Sequence, residues 1–134
     1  MRVKQMNADL AISGQVMVQD LQALADQGFR SIICNRPDFE GVGQPTFNEL
    51  KTAAKKLGME ARHIPVGFGG VSQNTIDEFG TAVKELPGPI VAFCLSGARS
   101  SMLASRSQPR PAGAGANNFA GAMGKLTSMF TGRA

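Results

Sequence analysis

Pro89-Ile90-Val91-Ala92-Phe93-Cys94-Leu95-Ser96-Gly97-Ala98-Arg99-Ser100-Ser101-Met102-Leu103 reads as a buried strand, a tight turn and a helix. Residues 89–93 form a short apolar run bounded by proline and glycine, the length of a sheet strand rather than a helix. Cys94 falls where that strand ends. Gly97 can take a left-handed backbone angle, which lets the amides of Leu95, Ser96, Gly97, Ala98 and Arg99 curl around one point. A helix starting near Ala98 aims its free amides and positive dipole end at the same point. A thiolate and a bound anion are both stabilised there. A cysteine so placed beside an arginine can have its pKa lowered from about 8.5 to about 3.5–7.5. Arg99 adds a planar fork suited to an oxyanion. The plainer alternative is a core cysteine at a strand end, followed by an ordinary helix with a surface arginine.

Outward from this stretch, strands and helices alternate. Residues 2–13 read as two short strands around Asn7-Ala8-Asp9. Met17, Leu21, Leu24 and Ala25 recur at helical intervals up to Gly28. Ser31-Ile32-Ile33-Cys34 is a buried strand, closed by the turn Asn35-Arg36-Pro37-Asp38. Residues 38–45 are irregular and expected to be exposed. Thr46 and Glu49 form a capping box for a helix with Leu50, Ala53, Ala54 and Leu57 on one face. Residues 59–66 predict the next strand, and Ser72 caps a helix carrying Ile76, Phe79, Val83 and Leu86. This order predicts a small α/β domain, a mostly parallel sheet of about four to five strands with helices on both faces. Ligands of such sheets bind beyond the carboxyl ends of the strands. Cys94, the Asn35–Asp38 turn and the Gly67–Gly70 loop are expected to meet there.

The formal charge is +4 over 134 residues, but its distribution matters more than its size. Basic and acidic side chains cancel in residues 1–105; the excess is Arg106, Arg110, Lys125 and Arg133. A neutral domain without Trp or Tyr argues against nucleic acid as partner. Two cysteines are too few for a disulfide scaffold, no apolar run is long enough to span a bilayer, and no signal peptide is evident, so a cytoplasmic protein is expected. We divide the chain into a catalytic domain, residues 1–105, and a basic tail, residues 106–134, rich in Gly, Ala and Pro. Phe119, Met123, Leu126 and Phe130 have the spacing of a short amphipathic helix that could contact a protein or membrane surface, against a loosely ordered tail as the alternative.

Cys-x-x-Gly-x-Arg-Ser in this setting resembles the anion-binding loop of the cysteine-dependent phosphatase and rhodanese group. More closely, the chain resembles the bacterial beta-lactamase-hydrolase-like phosphatase-like domains, also described as sulfurtransferases. Further parts of that pattern are Leu10 to Gln15, Gly28-Phe29-Arg30-Ser31-Ile32-Ile33, Asn35-Arg36-Pro37-Asp38, Gly43-Gln44-Pro45, His63-Ile64-Pro65-Val66 and Leu86-Pro87-Gly88-Pro89. The resemblance implies a protein tyrosine phosphatase-like fold and a nucleophilic Cys94. Arg99 stands one position closer to the cysteine than in protein tyrosine phosphatases, and Phe93 replaces their usual histidine. A smaller cradle suits a single sulfur atom held as a persulfide, so the first reading is a sulfurtransferase taking a small anionic sulfur donor.

The alternatives are a phosphatase acting on a phosphate ester through a Cys94 phosphocysteine, with Asp38 as proton donor, and a non-enzymatic module that binds an anion or a partner. Asp38 has a second reading as a turn carboxylate bonded to nearby backbone. Arg36 reads either as an anion contact or as an ion-pair partner of Asp38 or Glu40. Ser100 reads as a hydrogen-bond donor to the thiolate or as an ordinary first-turn residue. His63 is expected to be structural or an edge contact, and Cys34 to be packing or a resolving thiol. No cofactor is expected: there is no zinc spacing, no phosphate-loop lysine and no dinucleotide glycine pattern.

Overall fold

The computed structural model describes residues 1–67 and 69–107. Five strands, β1 (Val3–Gln5), β2 (Leu10–Ser13), β3 (Ser31–Cys34), β4 (Glu60–His63) and β5 (Ile90–Phe93), pair in the order β1-β2-β5-β3-β4. β1 runs antiparallel to β2; every other pairing is parallel. β5 is central because its residues are apolar throughout and buried on both faces, as an inner parallel strand must be. Cys94 therefore emerges between the strands on either side.

Helices α1 (Leu21–Asp26) and α2 (Phe47–Lys56) cover one face, and α3 (Gln73–Glu85) and α4 (Ala98–Ser107) the other. Alternation along the strands splits the core accordingly. Ile33, Ile90 and Ala92 pack with Ile76, Phe79 and Leu103, whereas Ile32, Val91 and Phe93 pack with Leu21, Leu24 and Leu50. Each such side chain contributes about 1.5–3 kcal/mol by leaving water. The caps are as the sequence predicts: Thr46 Oγ1 accepts from the Glu49 amide while Glu49 returns a bond to the Thr46 amide, and Ser72 Oγ accepts from the Thr75 amide.

Three boundaries differ from expectation. The helix expected from Met17 begins as a 3-10 turn, Val18–Asp20, because the Asp20 carboxylate takes the Met17 amide. β4 ends at His63 rather than Val66: Pro65 has no amide to donate, though Ile64 and Val66 still donate to the Cys34 and Asn35 carbonyls. α4 includes Arg106 and Ser107, two residues that the sequence reading assigned to the tail. The expected helix at 119–130 lies outside the described residues. Among the described residues no helix is long and apolar enough to cross a membrane.

Candidate active site

Cys94 lies just past β5 and is 1% exposed, walled by the turn that leads into α4. That turn closes because Gly97 takes φ 97, an angle open to glycine, and its amide donates to Cys94 Sγ at 3.1 Å. The two residues that follow β2 brace it from outside. The Gln15 amide donates to the Leu95 carbonyl at 3.1 Å, and a Cβ at Gly14 would come within 3.2 Å of that oxygen.

Burial would push the Cys94 thiol up, but the amides of Ser100, Arg99 and Gly97 together with the Ser100 hydroxyl outweigh it, and the pKa lies below the ordinary cysteine value. The donors are not quite those expected. The Ala98 amide is directed to Ser96 Oγ at 3.3 Å, the Leu95 side chain stands half out in solvent, and Ser100 acts from the first turn of α4. Ser100 is held there by Asn35, whose Oδ1 accepts its hydroxyl at 2.8 Å and whose Nδ2 donates to the Ile64 carbonyl at 2.8 Å.

Arg99 is fixed by a residue from a distant loop. Its NH1 and NH2 donate to Glu40 Oε2 and Oε1 at 2.8 and 2.9 Å, and NH1 also donates to the Val66 carbonyl at 2.8 Å. Those bonds use both NH1 hydrogens and one on NH2, and the guanidinium also interacts with Cys94. Glu40 is nearly buried. The bonds from Arg99, foremost, and from Arg36 hold its carboxyl well below the usual range, at about 2.

Arg36, read as an anion contact or as an ion-pair partner of Asp38 or Glu40, has Nε paired with Glu40 Oε1 at 2.8 Å and NH1 donating to Gln15 Oε1 at 2.9 Å. Asp38 Oδ1 accepts from the Phe47 amide at 2.8 Å, and its charge bears on Cys34. Cys34 is buried with its thiol donating to the Arg36 carbonyl at 3.4 Å, and burial pushes its pKa up to about 11. His63 stacks on Phe47 with ring centroids 4.8 Å apart, and its Nε2 bonds the Arg36 carbonyl. The chain turns Glu40 inward at Phe39, which has φ 61 and a ring 87% exposed. Among the described residues, no cluster of side chains could hold a metal ion.

The sequence reading treated Glu40 only as a partner for Arg36, and Asn35 only as part of a turn. An arginine destined for a buried rim requires a carboxylate. An acid in the loop after a neighbouring strand was the available signal.

A central parallel strand, a cysteine at its carboxyl end, amides folded onto the sulfur and an arginine at the start of the next helix define a phosphatase-like α/β domain. The chain belongs to the family described as beta-lactamase hydrolase-like protein, phosphatase-like domain, whose profile matches residues 2–111. It is 39% identical over 103 residues to a beta-lactamase hydrolase-like protein of Agrobacterium fabrum, covering 77% of this chain and 24% of that relative. It thus spans about a quarter of the length of the curated relatives it matches. A crystal structure from Neisseria meningitidis, described as a candidate phosphatase, superposes with a TM-score of 0.72 at 30% identity over 81% of each chain. The fold is also that of Tk-PTP in its active form, with a TM-score of 0.61 at 21% identity over 80% of this chain and 76% of that one.

Proposed function

We propose that this domain hydrolyses phosphate esters with Cys94 as the nucleophile. The observation that carries the reading is the cradle: amides of Gly97, Arg99 and Ser100 act on one sulfur, beside an arginine locked by Glu40. The thiolate attacks phosphorus, an S–P bond forms, and the ester P–O bond breaks toward the leaving oxygen. Arg99 and the loop amides hold the phosphoryl oxygens as charge shifts onto them. Water then attacks the phosphocysteine, releasing inorganic phosphate and restoring the thiolate. The leaving oxygen takes its proton from Asp38 or from water, since Asp38 already gives one oxygen to the Phe47 amide.

The test is turnover of p-nitrophenyl phosphate by the wild type and Cys94→Ser, with rapid acid quench and mass spectrometry to catch the phosphoenzyme. Loss of turnover and of the phosphate adduct in the variant is expected; turnover that survives it overturns the reading. Asp38→Asn assigns the proton. If Asp38 is the donor, alkyl phosphates slow by about 10²-fold or more while p-nitrophenyl phosphate, whose leaving group needs no proton, is nearly unaffected.

Sulfur transfer remains the second reading, favoured by the short Cys94–Arg99 spacing and by the engagement of Asp38 in a local bond, since sulfane sulfur transfer needs no strong acid. Incubation with thiosulfate and cyanide tests it: a gain of one sulfur on Cys94 and thiocyanate release support it, and an unmodified cysteine refutes it.

A further inference from the structure

Beside the outer wall of the cysteine loop lies an open groove of about 600 Å³, between the loop and strands β1 and β2. We propose that this groove binds a second anionic group, a phosphate or phosphonate, carried on the leaving-group side of a small phosphate ester. The inference rests on the phosphatase reading and adds a substrate class to it.

Register brings the charge to the site. Arg2 and Lys4 are two residues apart on an extended chain and so face the same way; Val3 between them packs with the α1/α2 core, and Met6 with the α3/α4 core. Lys4 pairs with Ile12 across the antiparallel ladder, and opposed residues share a face with Cβ atoms about 4.5–5.5 Å apart. The Ile12 Cγ2 methyl lies 3.5 Å from where a Cβ on Gly97 would stand. Lys4 is therefore one strand removed from the turn that closes on Cys94. The groove's other polar side chains are Ser96 and Ser101, and no Asp or Glu lines it; the Ser13 hydroxyl donates to the Gly14 carbonyl, and the Gln15 side-chain amide is bonded to Arg36 and the Val16 carbonyl. Among the described residues neither Arg2 nor Lys4 is paired with an acid. Its volume is that of a small-molecule site, where pockets run about 300–1,000 Å³.

The experiment compares phenyl phosphate with the same ester bearing a phosphonate on a short para alkyl arm, using the full chain and the double variant Arg2→Glu, Lys4→Glu. Both residues are exposed, and circular dichroism checks that the variant is folded. For the wild type, kcat/KM is expected to favour the phosphonate ester by about fivefold at low salt, a few-fold for each exposed charge pair, and less as ionic strength rises. In the variant the ratio of the two kcat/KM values should fall to one or below. An unchanged ratio, or a wild-type ratio of one, overturns the proposal. If the wild type turns over neither ester, the phosphatase reading has failed, and the groove is judged by calorimetry with an alkyl bisphosphonate. Tighter binding to the wild type than to the variant upholds it, and equal binding overturns it.

Discussion

Arg99 is held at its tip by one carboxylate, and that constraint sets its chemistry. A lysine at this position would keep the charge but lose the fork, so Arg99→Lys is expected to lower kcat/KM by about 10²-fold with little change in stability. Glu40→Gln leaves Arg99 without its anchor, and the misplacement should cost about 10²-fold in kcat/KM. Its effect on pH dependence has a definite sign. The folded carboxyl titrates near 2 against an ordinary 4.5, so the Glu40 contribution to stability is complete above about 4.5 and lost as pH falls toward 2. Urea midpoints measured across that window should therefore decline more steeply for the wild type than for Glu40→Gln. The two thiols should separate as well. With Cys94 lowered and Cys34 raised to about 11, modification of Cys94 should gain its pH dependence below the free-cysteine range, and that of Cys34 well above it. Cys94, Gly97 and Arg99 were legible in the sequence because their geometry is local, a strand end followed by a helix start. Glu40 was not, because it meets Arg99 across 59 residues of chain and only the fold brings the two together.

The elements themselves were readable where a side chain punctuates the backbone. Thr46 with Glu49 and Ser72 with Thr75 start their helices at the residues expected, because each satisfies amides that the helix leaves unpaired. Thr46→Ala should cost about 1 kcal/mol, measured as a shift in urea midpoint without loss of α2 in the folded state. Gly97→Ala belongs to the same scale but strikes the site: φ 97 is strained for alanine, and the new methyl would lie 3.4 Å from the Ser13 carbonyl. Boundaries were misread where the deciding bond is tertiary or negative. At Met17 a carboxylate three residues on competes for the amide, and beyond His63 the ladder stops at a proline while the chain keeps its alternation. The split of loop donors among Gly97, Arg99 and Ser100 was likewise hidden, since it depends on how far α4 winds toward the sulfur.

Both faces of the sheet bury side chains against the same central strand, which makes the domain a single cooperative unit. Ile32→Val on one face and Ile76→Val on the other should each cost about 1 kcal/mol, and the pair should add to within about 0.5 kcal/mol in one transition followed by circular dichroism. The direction of α4 sets which of its ends bears on the site. The helix starts at the cysteine loop and runs from Ala98 to Ser107, about 15 Å at the usual rise, to a point beside the Asn7–Leu10 turn where β2 begins. Ser107, the last described residue of α4, thus lies at the back of the sheet, opposite the mouth. Loosening that far end of α4, as by Ser107→Gly, should leave access to Cys94 unobstructed and small-ester kinetics as they were.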